Sequence, residues 1–157
     1  MEDISLMIGD AKFNFRAGLL IEKGNKVLVE HNPKFPFTTL PGGRVKTLED
    51  SVETLKRELE EEMHFDLSEE EIQMKAVLEN FFELDGKKFH EIFFLFKTKF
   101  KEDDDRFPDN MKNYDSEASY YRWIDKDKLG EVNLLPKELR TLTGDQFEHI
   151  IIHELER

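Results

Sequence analysis

Gly43 to Phe65 reads GRVKTLEDSVETLKRELEEEMHF, and the chain enters it through Leu40-Pro41-Gly42-Gly43. Read as a helix from about Glu49, its apolar residues Val52, Leu55, Leu59 and Met63 recur at helical spacing and form one stripe to bury. At about 100° per residue, Glu58, Glu61 and Glu62 fall within an arc of about 100° beside that stripe, so their carboxylates can converge on one point. Glu58 repels the other two, at i+3 and i+4, by about 0.2–0.5 kcal/mol per pair. Near the helix C-terminus the macrodipole adds about 0.3–1 kcal/mol against each anion. Taken locally, the pattern destabilises its own helix. Either it is a solvated acidic face, or a divalent cation turns the repulsion into ligation. Hard ions such as Mg²⁺ take carboxylate oxygens while keeping waters and phosphate oxygens.

The loop before the helix favours the second reading. Leu-Pro-Gly-Gly is a tight turn whose glycines let backbone approach a ligand or ion closely. The whole stretch resembles the Nudix box, G-x5-E-x7-R-E-U-x-E-E-x-G-U with U a bulky apolar residue. Gly43, Glu49, Arg57, Glu58, Leu59, Glu61, Glu62 and Phe65 occupy matching positions at full spacing. The box's second glycine is replaced by His64. That glycine ends the helix in the family, where a left-handed backbone costs other residues about 1–2 kcal/mol. His64 is either a tolerated surface residue or a group facing substrate.

The resemblance implies an α/β fold, a Nudix-like α/β/α sandwich around a mixed β-sheet. It also implies hydrolysis of a pyrophosphate linkage in a nucleoside diphosphate joined to another group, such as a nucleoside triphosphate, ADP-ribose or a nucleotide sugar. Mg²⁺, or Mn²⁺, would be held by Glu58, Glu61, Glu62 and the Gly43 carbonyl. Glu61 or Glu62 would orient the attacking water, with Glu117 as a further acidic candidate in the loop before a late strand. The resemblance gives Arg57 a role in orienting the box carboxylates, while its spacing also fits ion pairs with Glu53 and Glu61. The competing class is a Nudix-like domain that senses a nucleotide without cleaving it.

Three basic residues are candidates for substrate binding. Arg16 lies in a strand, where it is either on an exposed face or a bidentate phosphate ligand. Arg44 and Lys46 follow the glycine turn and either balance the acidic helix or contact phosphate.

A chain of 157 residues accommodates one domain with a full core, expected to span 1–157. The absence of cysteine excludes disulfides and thiolate chemistry. No apolar run approaches the length of a membrane span and no signal-peptide pattern opens the chain, so a cytoplasmic protein is expected. A net charge of −12 argues against long nucleic acid as a partner, since a phosphate polymer needs a basic surface. The expected partner is a small-molecule nucleotide, with no membrane, and a homodimer is left open.

Along the chain, Phe13 to Glu22 and Lys26 to His31 read as strands around Gly24-Asn25. Asn32 to Thr39 reads as loop and Arg44 to Lys46 as a short strand, with Thr47 or Ser51 available to cap the helix. Glu71 to Leu84 and Lys87 to Phe100 form a hairpin through Asp85-Gly86. Lys101 to Ser119 is a polar loop whose aspartates read as a solvated charge run, followed by a strand over Tyr120 to Ile124. His90 reads as a sheet residue rather than a base. Helices are expected from Asp125 to Leu129, after Pro136, and from Asp145 to Arg157 with Phe147, Ile150, Ile151 and Leu155 on one face.

Overall fold

The computed structural model describes residues 1–142 and 144–155. Its framework is two long pairs of strands. β1 (Ser5–Ile8) folds back on β2 (Ala11–Lys23), and β2 turns at Gly24-Asn25 into β3 (Lys26–His31). After the short β4 (Thr38–Thr39) and β5 (Gly42–Arg44) comes the single α-helix, α1 (Ser51–Met63). β6 (Gln73–Leu84) and β7 (Lys87–Phe100) form the expected hairpin. Asp85 and Gly86 both have positive φ, 52° and 77°, which a two-residue turn matching the strand twist requires. β8 (Met111–Asn113), β9 (Ser116–Asp125) and β10 (Glu148–Glu154) complete a mixed sheet of order β10-β6-β7-β2-β3-β9-β8. The β2–β7 and β10–β6 pairs are parallel.

Strand alternation sorts the apolar residues into two cores. On one face, Ala17, Leu19, Ile21, Leu28 and Phe96 pack with Leu55, Leu59 and Met63 of α1. On the other, Leu20, Val29, Leu78 and Leu95 pack against Leu129, which caps a 3₁₀ turn at Lys126–Lys128, Leu134 in the loop that follows, and Leu139 within a second 3₁₀ turn at Lys137–Thr141. The architecture is thus the expected α/β sandwich around a mixed sheet, with its second outer layer made of 3₁₀ turns and loop in place of the helix expected after Pro136.

The C-terminal expectation is overturned more fully. Glu148–Glu154 is an edge strand parallel to β6, not part of a helix, and residues 156–157 lie outside the described residues. Phe147, Ile150, Ile151 and Leu155 do recur at helical spacing, but three consecutive isoleucines favour a pleated strand. Two lysines on the sheet also draw the segment in. Lys97 Nζ donates to the Gly144 carbonyl (2.7 Å) and meets Asp145 (3.1 Å) and Glu22 (2.8 Å). Lys75 Nζ donates to the Gln146 carbonyl (2.8 Å) and meets Glu148 (3.0 Å). In the expected loop, β8 and the first residues of β9 extend the sheet before Tyr120. No helix among the described residues is long and apolar enough to cross a membrane.

Lys97 is 4 % exposed, and its removal strands the buried Glu22 with Lys126 as its remaining cation. Lys97→Ala is expected to cost about 3 kcal/mol, read as a lower urea midpoint at unchanged slope.

Candidate active site

α1 starts one residue after Asp50, whose side chain accepts the Glu53 N–H (2.8 Å) while Glu53 accepts the Asp50 N–H (2.9 Å). This reciprocal cap replaces the one expected from Thr47 or Ser51. It also commits Glu53, so Arg57 does not pair with it. Instead the guanidinium makes a fork to Glu49, Nε to Oε2 at 2.8 Å and Nη2 to Oε1 at 2.9 Å. It further donates to Glu58 (2.9 Å) and to the Arg44 carbonyl (3.1 Å), with Glu61 at 3.7 Å. One side chain thereby ties the loop, the strand after the glycine turn and the helix together. The guanidinium's hydrogen bonds hold the Glu49 carboxyl down near 2, assisted by the Thr54 hydroxyl and the Lys46 N–H.

His64 closes the helix in the left-handed conformation, φ 51° and ψ 41°, where the family has glycine. Its N–H and that of Phe65 satisfy the Glu60 and Leu59 carbonyls at 3.1 and 3.2 Å. The imidazole stacks on Tyr114 with centroids 3.6 Å apart and planes at 9°. His64 is therefore built into the helix exit, and the stack offsets the backbone cost.

The glycine turn brings β5 against β2, pairing Gly43 with Ala17 and Gly42 with Gly18. A Cβ on Gly42, at φ 153°, would lie 2.1 Å from the Ala17 carbonyl oxygen. A Cβ on Gly43 would lie 2.4 Å from the Glu58 carboxyl carbon, so only glycine lets this carboxylate rest against the turn. Beside it opens a cleft of 310 Å³ lined by Arg16, Glu30, Gly43, Arg44, Glu58 and Glu62 among others. Glu62 faces it from α1 and Glu30 from β3. Buried Tyr121 donates to Glu62 (3.4 Å), and Asn113 donates to Glu30 (3.3 Å) and to the Tyr121 hydroxyl (3.2 Å). Burial, together with hydrogen bonding to Glu58 and the charges of Glu30 and Glu58, pushes the Glu62 carboxyl far above the usual carboxylate range. Burial likewise raises Glu30.

Of the residues singled out from sequence, Arg16, Gly43, Arg44, Glu58 and Glu62 line this cleft. Glu61 is half exposed and turned towards Arg57, and Lys46 is not among the lining residues. Glu117 is exposed on β9. The acidic side chain that approaches Glu62 comes from β3 instead, and Glu30 was legible only through strand alternation, which sets it on the same face as buried Leu28. Among the described residues no group of three or more His, Cys, Asp or Glu side chains stands ready to hold a metal ion. Arg57 holds one Glu58 oxygen and lies beside Glu61. The donor set nevertheless fits a hard cation: the carboxylates of Glu58, Glu62 and Glu30 and the Gly43 carbonyl are all oxygen, and the cradle at Gly43 is one that a Cβ would fill.

The family model for the NUDIX domain matches residues 12–145. The chain belongs to the Nudix family. Solved structures share the fold of this Nudix chain at low identity. A MutT protein from Bacillus halodurans is 20% identical with a TM-score of 0.61, over 87% of this chain and 89% of that one. An Ap4A hydrolase from C. elegans is 23% identical with a TM-score of 0.58, over 82% and 91%. The dihydroneopterin triphosphate pyrophosphohydrolase of E. coli is 15% identical with a TM-score of 0.57, over 76% and 85%. No curated protein sequence matches this chain.

Two outcomes test the local design of this Nudix site. Because the folded Glu49 carboxyl is depressed from 4.5 to about 2, its contribution is full above about pH 4.5 and lost as pH falls towards 2. Glu49→Gln is expected to cost about 2–3 kcal/mol at pH 7 and to flatten the acid limb of stability measured by urea titration. His64→Gly exchanges a stack of about 0.5–1.5 kcal/mol for a relaxed backbone of similar value, so its melting temperature should move by no more than a few degrees.

Proposed function

We propose that this Nudix domain, taken as one unit over residues 1–157, hydrolyses a pyrophosphate bond in a nucleoside diphosphate linked to another group. The observation that carries the reading is the facing of Glu30, Glu58 and Glu62 across a glycine turn from Arg16 and Arg44. Anionic and cationic groups in one small cleft suit a ligand that presents phosphate oxygens to the arginines and leaves room for a cation at the carboxylates.

Glu58, Glu62 and the Gly43 carbonyl would hold Mg²⁺ or Mn²⁺, with Glu30 and Glu61 as further oxygen donors. Bound there, the ion would neutralise diphosphate oxygens and lower the pKa of a coordinated water. Arg16 and Arg44 orient the phosphates by charge-assisted hydrogen bonds, and the Gly42-Gly43 backbone leaves space for them to approach. With a cation at the carboxylates to offset the burial and like charges that hold its proton, Glu62 would be the residue best set to accept a proton from the attacking water: it faces the cleft and accepts from the Tyr121 hydroxyl at 3.4 Å. Glu117 lacks that placement, and Glu30 takes the supporting acidic role in its stead. Arg57 acts through others, holding Glu49 and Glu58 in register.

A panel of nucleoside triphosphates, dinucleoside polyphosphates, ADP-ribose and nucleotide sugars, assayed with Mg²⁺ for released monophosphate or pyrophosphate, tests the reading. Thermal stabilisation by nucleotide with no product from any of them would establish a sensing domain instead. Glu58→Gln and Glu62→Gln are each expected to lower turnover at saturating Mg²⁺ by at least 100-fold, an order-of-magnitude expectation for loss of metal and base chemistry. Glu62→Gln is also expected to leave the melting temperature equal or higher, because a neutral amide of the same shape replaces a buried carboxyl whose ionised form is disfavoured by burial and by the Glu30 and Glu58 charges.

A further inference from the structure

On the sheet face opposite α1, a second cavity of 310 Å³ opens beside the carboxylate cleft, and Arg16, Thr39 and Leu40 line both. Its walls are apolar and aromatic, with Phe37, Phe82, Phe93, Leu135 and Leu139 among its lining residues. The Phe93 ring lies so low over Gly18 that a Cβ there would come within 2.5 Å of it, which clears the cavity above β2. The volume is at the small end of the range of about 300–1,000 Å³ in which ligand sites fall. A volume of this size with aromatic lining suits one flat ring system stacked on those side chains.

A group of polar side chains interrupts this apolar lining. Asn80 on β6 and Glu91 on β7 are directly paired across the sheet, both line the cavity, and both are 7 % exposed. Burial raises the Glu91 carboxyl, while the Arg16 charge, the Asn80 amide and the Arg44 charge pull it back down. Asn80 is its hydrogen-bonding neighbour and no salt bridge engages it among the described residues, so this buried carboxylate retains acceptor capacity towards the cavity.

The Glu91 carboxylate accepts from one Asn80 amide N–H and keeps further lone pairs for a ligand edge that offers two adjacent N–H donors, while the second Asn80 N–H matches a neighbouring carbonyl acceptor. Guanine presents this order on its Watson–Crick edge: O6, N1–H and the exocyclic N2–H. Adenine offers one donor and a ring acceptor there, and a carboxylate would repel that acceptor.

Resting on the proposal that the neighbouring cleft receives the diphosphate, we propose that this second cavity takes a guanine-type base. Glu91 accepts from N1–H and N2–H, Asn80 donates to O6 the amide N–H that Glu91 does not take, and Arg16 stands at the shared rim between base and phosphates. The substrate is then a guanine nucleotide, and Glu91 and Asn80 determine its specificity without touching the reacting atoms.

Monophosphates have no pyrophosphate bond, so titration of the full chain with GMP, AMP and UMP by calorimetry reads the pocket apart from chemistry. The expected result is at least tenfold tighter binding of GMP. Glu91→Gln offers one acceptor and one donor, the complement of adenine's N6–H and N1, and is expected to transfer the preference to AMP. Glu91→Asp withdraws the carboxylate by one methylene and is expected to weaken GMP at least tenfold without helping AMP. Equal affinity for the three monophosphates, or a GMP preference unchanged in both variants, would overturn the assignment. Selective GMP binding in a protein that cleaves no nucleotide with Mg²⁺ would support the pocket and remove the hydrolytic reading. Cleavage of GTP, ATP and UTP at equal kcat/KM would do the reverse.

Discussion

The fork between Arg57 and Glu49 is the contact on which the site depends. It joins residues eight positions apart, across the helix start, while the same guanidinium reaches the Arg44 carbonyl and Glu58. An α-helix by itself cannot fix its distance from a preceding loop. Arg57 does so because its planar fork satisfies several acceptors at once and is always charged. With the loop fixed, Gly43 meets Glu58 at a separation that excludes any side chain, and the acidic face of α1 is directed at the turn.

The sheet then decides what surrounds that face. β2 and β3 pair only near Gly24, and β5 takes over the edge of β2 from Arg16 to Gly18. The divergence opens a gap between β2 and β3, into which Glu30 points from one strand and Arg16 from the other. Because successive residues alternate faces, Glu30 joins α1 on one side while Arg16, Glu91 and Asn80 belong to the opposite side. The two cavities meet where the strands separate, at Thr39 and Leu40.

Charge is distributed unequally over this frame. Like carboxylates gather at the cleft, where Glu62 and Glu30 are both raised by burial. Elsewhere, Lys97 is paired with Glu22 and Asp145, and Lys75 with Glu148, whereas buried Glu91 in the second cavity has only the Asn80 amide and the more distant arginine charges. The paired set is structural, drawing the C-terminal strand onto β6. The carboxyls raised by burial lie at the two cavities, Glu30 and Glu62 between α1, β3 and the glycine turn and Glu91 on the opposite face, where a ligand or cation can relieve them.

The sequence by itself determined the elements whose information is local. The heptad-like stripe of α1, the Asp85-Gly86 turn and the alternation in β3 each depend on neighbours within a few residues, so their periods and turn chemistry can be read directly. The Nudix spacing likewise marked Gly43, Glu58 and Glu62. Tertiary structure alone decided three things. It made Glu148–Glu154 a strand, because an edge of β6 and two lysines from the sheet outweighed a helical spacing of apolar residues. It selected Glu49 over Glu53 for Arg57, because the helix cap had already engaged Glu53. It also set Glu30 in the lining of the cleft and left Glu117 out of it, because that placement depends on which strands lie across from α1, a relation between distant segments that no local pattern encodes.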